Sequence, residues 1–303
     1  MKAVVLDEGG AVEIREVEPP VPDENEVVVD VRAAGINFLE VLVRRGRYPQ
    51  PPDLPWTPGA EVGGIADGKP VVGLVRQSGG GFAEQAAVDR YWLFPVPEGG
   101  TFAQAASFLM PFLTAWLPLT RQASITHGKR VLVTAAAGGV GSAAVQLTRL
   151  LGGHVVAAVG SGEKRELPRS LGVEEVVTYD ELGEIQPVDV VFDPVGGELF
   201  ERCLKLLRPL GTMLAVGFAG GAWAPLDPAL LVGRNVGVQG FYLGRLMARE
   251  PEVVHVAALD LLRMWDEAAI QPVVGARFPL VQAEAALDFV ESRQSTGKVV
   301  LIP

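Results

Sequence analysis

The chain has 303 residues, 49% hydrophobic and 20% charged, enough to bury one or two full cores and too apolar for broad disorder. Lys and Arg number 26 against 36 Asp and Glu, a formal net charge of −10 with no basic run to offset it, which argues against a nucleic-acid partner. One cysteine, Cys203, excludes an internal disulfide and cysteine-rich zinc modules.

The opening MKAVVLDEGG alternates and turns too early for the apolar stretch of a signal peptide. Short β-branched runs follow at residues 2–6, 12–17, 27–33, 62–66, 71–74 and 82–88, broken by Gly and Pro clusters, with one helical interruption at 37–45. These predict a small β-rich domain. A helix opens at 101–107. The apolar run 108–119 that follows contains Pro111 and Pro118 and is shorter than the ~20 residues of a membrane span. A soluble, cytoplasmic protein with no membrane partner is the expectation.

From residue 130 strands alternate with helices. Strands are predicted at 130–135, 154–159, 175–178, 188–192, 211–216 and 236–241, with helices at 141–151, 163–171, 197–207 and 228–233. Such alternation builds an α/β fold with a doubly wound parallel sheet. A helix at 252–269, a strand at 273–278, a helix at 281–293 and a strand at 298–302 come last. The final strand has no parallel partner left, so it is expected to return to the N-terminal β domain. The predicted domains are 1–108 with 261–303, and 109–260.

Val131-Leu132-Val133-Thr134-Ala135-Ala136-Ala137-Gly138-Gly139-Val140-Gly141 runs from a strand through a small-residue turn into a helix. Against the dinucleotide fingerprint G-x-G-x-x-G, Ala136 takes the first position and Gly138 and Gly141 the others. Gly138 would let a pyrophosphate approach the backbone, and Gly141 would let the helix pack close to its strand. The amides of Gly139, Val140 and Gly141 then face the anion. The alternative is a tight turn with no ligand. After the second strand no carboxylate stands ready for a ribose hydroxyl; Ser161, Lys164 and Arg165 follow instead. A hydroxyl and cations suit a 2′-phosphate, so NADPH is expected over NADH. Asp193 ends the fourth strand, either in the ligand crevice or as a cap for the next helix.

Several further segments carry a resemblance: Ala33-Ala34-Gly35-Ile36-Asn37-Phe38, Arg44-Arg45-Gly46-Arg47-Tyr48-Pro49, Pro58-Gly59-Ala60-Glu61-Val62-Gly63-Gly64, Leu113-Thr114-Ala115-Trp116 and Gly297-Lys298-Val299-Val300. Together with the glycine loop and across nearly the whole chain they resemble the zinc-free quinone oxidoreductases, a zeta-crystallin-like branch of the medium-chain dehydrogenases/reductases. The resemblance implies a GroES-like β-rich domain, a Rossmann domain with a six-stranded parallel sheet, and a cleft between them. It places Asn37 near the nicotinamide, where the alternative is a turn-capping Asn, and Thr114 near the carboxamide, where the alternative is a hydroxyl bonded to its own helix. Tyr48 is a candidate proton donor or an aromatic lid. Ser161, Lys164 and Tyr179, joined by Arg293, would hold the 2′-phosphate, and Gly217, Phe241 and Lys298 would line the cofactor groove. Ala60 stands where zinc-dependent relatives carry a histidine ligand, so no metal is expected.

The function expected is hydride transfer from NADPH to a quinone or similar electron-poor acceptor. Reduction of a conjugated C=C bond and non-catalytic NADPH binding are the alternatives. A homodimer through the sixth Rossmann strand would cover an exposed sheet edge.

Overall fold

The structure is a computed structural model and describes residues 1–75, 80–223 and 225–303. The chain forms two compact units, Met1–Met110 with Ala258–Pro303, and Pro111–Ala257.

In the first unit Lys2–Leu6 pairs with Val12–Glu16 in an antiparallel hairpin. The remaining strands form one sheet in the order Val274–Pro279, Lys298–Ile302, Glu26–Ile36, Glu61–Ala66, Lys69–Leu74, Leu93–Pro95, and Gln85–Asp89 also pairs with Glu26–Ile36. Among the described residues of this sheet, only Val274–Pro279 and Lys298–Ile302 run parallel to each other. The closing strand does return to the N-terminal β unit, setting Val299 opposite Ile36. Asp67 and Gly68 alone join Glu61–Ala66 to Lys69–Leu74, both at positive φ (48° and 74°), as a two-residue hairpin turn requires.

Glu26–Ile36 buries alternate side chains in its first half and all of its last four, Ala33 to Ile36. The strand thus runs from a one-faced position into the interior, and Asn37 follows immediately. Helix Phe38–Arg44 starts there. Arg44 reaches Asp288 at 2.6 Å and Glu284 at 3.0 Å, and Arg45 reaches Glu291 at 2.7 Å. These pairs tie the helix to Ala283–Glu291. The Arg45 guanidinium holds the Glu291 carboxyl below its usual value.

The second unit is a six-stranded parallel sheet in the order Glu175–Thr178, His154–Val159, Arg130–Val133, Val188–Asp193, Leu207–Ala215, Gly237–Gly240. In chain order of these strands that is 3-2-1-4-5-6, the Rossmann arrangement, so the mixed α/β fold is as expected. Its interior packs Leu132, Val156, Val191 and Met213 against Leu199, Cys203 and Leu204 of the helix Gly197–Leu204.

Several local expectations need correction. The helix expected at 163–171 is a 3₁₀ turn, Gly162–Arg165, leading into Glu166–Ser170. A separate helix Leu243–Arg249 precedes Pro251–Asp266, and Glu250 between them leaves helical geometry with φ −134°. The strand expected from residue 82 begins at Gln85. The apolar stretch is also longer than the run 108–119. Phe102–Gln122 is helical over 21 residues with mean hydropathy 1.3, enough in length and composition to cross a membrane. That stretch is 72% buried inside the protein, as a core helix is.

Candidate functional site

Strand Arg130–Val133 is apolar because both faces of a parallel sheet are covered. The chain leaves it through Ala135, which adopts a left-handed φ of 46°. The Ala136 N–H donates to Ala158 O of the neighbouring strand at 3.0 Å, and the Gly138 N–H donates to Ala135 O at 2.8 Å. Helix Gly139–Leu150 then begins from Gly138, which has no side chain to cap it. The first-turn amides, those of Gly139, Val140 and Gly141, therefore have no side-chain acceptor. A Cβ on Gly141 would fall 2.0 Å from Ala135 O, so only glycine lets the helix lie this close to the loop. A Cβ on Gly138 would meet nothing nearer than Ala135 O at 3.2 Å.

Tyr179 belongs to this loop as well. Its hydroxyl accepts from the Ala135 N–H at 3.2 Å, and its ring comes within 3.7 Å of where a Cβ on Gly160 would stand. Gly160 leads into exposed Ser161 and half-buried Lys164, whose N–H donates to Ser161 O at 3.2 Å. The glycine loop, Tyr179 and the Ser161–Lys164 turn thus form one neighbourhood. Arg165 points elsewhere: it contacts both Glu181 carboxylate oxygens at 2.6 Å and donates to Val176 O at 2.9 Å. The Thr178 N–H, and after it Arg165, hold the Glu181 carboxyl below its usual value.

Asp193 is fully buried and engaged, which decides its reading. It accepts from Thr134 Oγ1 at 2.5 Å, Val195 N–H at 3.0 Å and Gly196 N–H at 3.0 Å. Burial pushes its carboxyl above the usual value while these three donors pull it back. Its work is to stitch the turn after the fourth strand to the start of the glycine loop. Gly217 and Phe241 stand at the carboxyl ends of the fifth and sixth strands. A Cβ on Gly217 would come 3.0 Å from Pro194 O, and the Phe241 N–H donates to Ala215 O at 3.0 Å. Thr114 is half-buried on helix Leu109–Leu117. Ser107 and Thr120 bond their hydroxyls to carbonyls four residues back, at 2.7 Å each. The Thr114 hydroxyl shows no such bond to its own helix among the described residues.

The first unit holds a second cluster. Lys298, inside the closing strand, directs its ammonium at Glu61 Oε1 (2.5 Å), Asn37 Oδ1 (2.7 Å) and Ile36 O (2.8 Å). Glu61 is wholly buried, and its second oxygen accepts from the Met110 N–H at 3.0 Å. Burial pushes the Glu61 carboxyl up, against the pull of the Lys298 ammonium. Glu40, also buried, accepts from the Asn37 N–H at 2.8 Å, and its other oxygen has no partner. Burial raises its pKa to about 7. Asn37 itself is half-buried. Its Nδ2 lies 3.4 Å from Gly35 O.

Three residues expected near the cofactor or acceptor lie in the first unit. Lys298 spends its donors inside the first unit, and Arg293, at φ 59° after helix Ala283–Glu291, belongs to that unit too. Tyr48 packs with the Leu6, Val43 and Trp56 cluster, half-buried. The sequence reading gives no role to Glu40 or Glu61 and places Lys298 at the cofactor groove, not in a pair. The signals were Asn37-x-x-Glu40, at capping-box spacing, and two charges set among buried strand residues.

The pattern described as Zinc-binding dehydrogenase matches residues 139–259. Quinone oxidoreductase-like protein 2 of Bos taurus is 35% identical over 309 residues, 95% of this chain and 88% of the relative. The chain belongs to the quinone oxidoreductase branch of the medium-chain dehydrogenases/reductases. Within that branch it is similar to the quinone oxidoreductase of Thermus thermophilus, also solved in complex with NADPH. That likeness is 41% identity with a TM-score of 0.92 over 100% of both chains. The human synaptic vesicle membrane protein VAT-1 homolog is 32% identical over 95% of this chain and 82% of its own length. As a branch member the protein is an oxidoreductase.

Proposed function

We infer that this oxidoreductase uses NADPH to reduce a quinone or a similar electron-poor acceptor, and that it does so without zinc. The observation that carries the reading is the glycine loop, whose uncapped helix N-terminus and Cβ-free Gly141 make a cradle for a pyrophosphate. A relative with the same fold was solved with NADPH, which supports the choice of dinucleotide. Gly138 to Gly141 would hold the pyrophosphate. Ser161, Lys164 and Tyr179 would hold the 2′-phosphate, joined by Arg293, and Gly217, Phe241 and Thr114 would position the nicotinamide half. Bound there, the cofactor supplies a hydride and its electron pair. The chain's own contribution is to orient and to keep water out. The acceptor's proton comes from water, so no strong acid is needed. Ala60, where zinc-dependent relatives carry histidine, has no ligating atom, which supports zinc independence.

The test is oxidation of NADPH and NADH, followed with a panel of quinones and conjugated carbonyls in the presence and absence of a chelator. Quinone turnover with NADPH preferred and no loss on chelation is the expected result. Lys164→Ala should then raise KM for NADPH about tenfold and leave NADH unchanged, the effect of one lost charge-assisted hydrogen bond. Turnover of conjugated carbonyls alone would move the reaction to C=C reduction and make Tyr48→Phe the next variant. NADPH binding without turnover would make the protein a non-catalytic binder. A cytoplasmic location belongs to the same reading, and cell fractionation tests it.

A further inference from the structure

The helix that carries Thr114 changes its winding near its end. Pro118 has no N–H to give to the Thr114 carbonyl four residues back, and its ring crowds that carbonyl, so the α pattern cannot continue. Pro118–Gln122 winds as a π turn instead, closed by the Ala123 N–H, which donates to Pro118 O five residues back at 2.9 Å. In an unbroken α-helix the eight residues from Thr114 to Gln122 would carry Gln122 roughly 80° round the axis. The wider turn takes back part of that drift and returns Gln122 toward the Thr114 face.

There Gln122 meets the carboxyl end of the sixth Rossmann strand. Its Nε2 donates to Gly240 O at 3.0 Å, and Gln239 Nε2 donates to Gln122 O at 3.4 Å. Gly240 lies opposite Ala215 in the ladder, and the next N–H, that of Phe241, donates to Ala215 O. Backbone polar groups alternate sides along a strand, so Gly240 O points to the outer edge of the sheet, where Gln122 takes it. The Gln122 Oε1 is buried and has no partner among the described residues. An amide with one buried end unsatisfied adds little net stability, so stability does not account for the contact. What the contact does fix is the strand end that leads into Phe241. All of these residues lie in Pro111–Ala257.

We propose that Gln122 is a positioning residue: by clamping Gly240 O it holds Phe241 and Thr114 at the spacing that grips the nicotinamide half of NADPH. This rests on the NADPH reading above and is independent of which acceptor is reduced. Phe241 follows the carboxyl end of its strand, and ligands of such sheets bind outside those ends. Thr114, half-buried, stands on the helix that the clamp ties to the strand. The π turn set by Pro118 is what lets one helix present Thr114 and reach the sheet edge with Gln122.

Two ligands test this, because they separate the halves of the site. Adenosine 2′,5′-bisphosphate carries the 2′-phosphate and no nicotinamide; NADPH carries both. Gln122→Met removes the donor and keeps the length of the side chain. NADPH affinity, titrated by the fluorescence of its reduced ring, should weaken about tenfold, the effect of one lost hydrogen bond. Adenosine 2′,5′-bisphosphate affinity, titrated by calorimetry, should not change. Equal weakening of both ligands would make Gln122 a structural residue only, and unchanged NADPH affinity would make the clamp irrelevant to the cofactor. Either result overturns the proposal.

Pro118→Ala keeps Gln122 and serves where Gln122→Met does not fold. It restores an N–H for Thr114 O, allows the α pattern to continue and swings Gln122 off the strand edge. The same split between the two ligands is expected, and wild-type NADPH affinity in this variant would overturn the proposal. Failure of the wild-type protein to bind either ligand would overturn the NADPH reading, and this inference with it.

Discussion

Glu40 shows how one residue's burial becomes a property of the whole chain. Its carboxyl is pushed to about 7 from an ordinary 4.5, mainly by burial. As pH rises from 4.5 to 7 the unfolded chain gives up this proton while the folded one keeps it. Stability therefore falls across that window and levels off above it. The raised value corresponds to roughly 3 kcal/mol once pH exceeds 7. Glu40→Gln keeps an oxygen for the Asn37 N–H and has no proton to lose. Urea unfolding at pH 5 and pH 8 should show the variant gaining on wild type by most of that amount at the higher pH. An equal difference at both values would mean Glu40 ionises freely in the fold. This residue also marks where sequence reading stops. Asn37 and Glu40 are three apart and show a helix start, but burial of the carboxylate depends on what packs over it. Lys298 lies 261 residues from Asn37, and no local pattern joins them. Arg165 is a similar case. It reads as a phosphate ligand until Glu181 folds next to it.

Among the elements, the strand–loop–helix of residues 130–150 was the most legible, because its signals lie within one stretch of chain. Apolar strand, small-residue turn and amphipathic helix each follow from neighbours a few residues away. Gly141→Ala tests that unit. Its Cβ would sit 2.0 Å from a backbone oxygen, so either the helix start or the loop must move. A loss of about 3 kcal/mol in urea-unfolding stability is expected, together with weaker NADPH binding by titration. Unchanged affinity would show that the loop tolerates displacement and is not the phosphate cradle. The three-residue strand Leu93–Pro95 escaped the sequence reading because it is too short to show a period and owes its form to pairing with Lys69–Leu74. Asp67-Gly68 is the opposite case, a pair whose chemistry alone specifies the turn.

At the scale of the whole molecule, the six-stranded sheet ends on Gly237–Gly240, which among the described residues pairs only with Leu207–Ala215. We propose that a second copy of the chain covers this edge about a two-fold axis, as an unpaired edge favours. Light scattering at micromolar concentration should give twice the chain mass. Val238→Pro, which removes a strand N–H, should shift the protein toward monomer; a monomeric wild type would refute the pairing. The two-unit division was legible from the change of pattern near residue 101, whereas its chain boundaries rest on which contacts each helix makes.

The first unit is assembled from both ends of the described chain, and this orders events during synthesis. Pro111–Ala257 is continuous and has its full set of strands as soon as residue 240 has been made. The first unit has to wait with an open sheet edge at Ala34–Ile36 until Lys298–Ile302 arrives. Contacts over such separations form slowly, and a waiting edge is exposed to misassembly. The Rossmann unit thus has all its strands while the Asn37 side chain still lacks its Lys298 contact. The Lys298 bonds to Ile36 and Asn37 are therefore among the last native contacts to form.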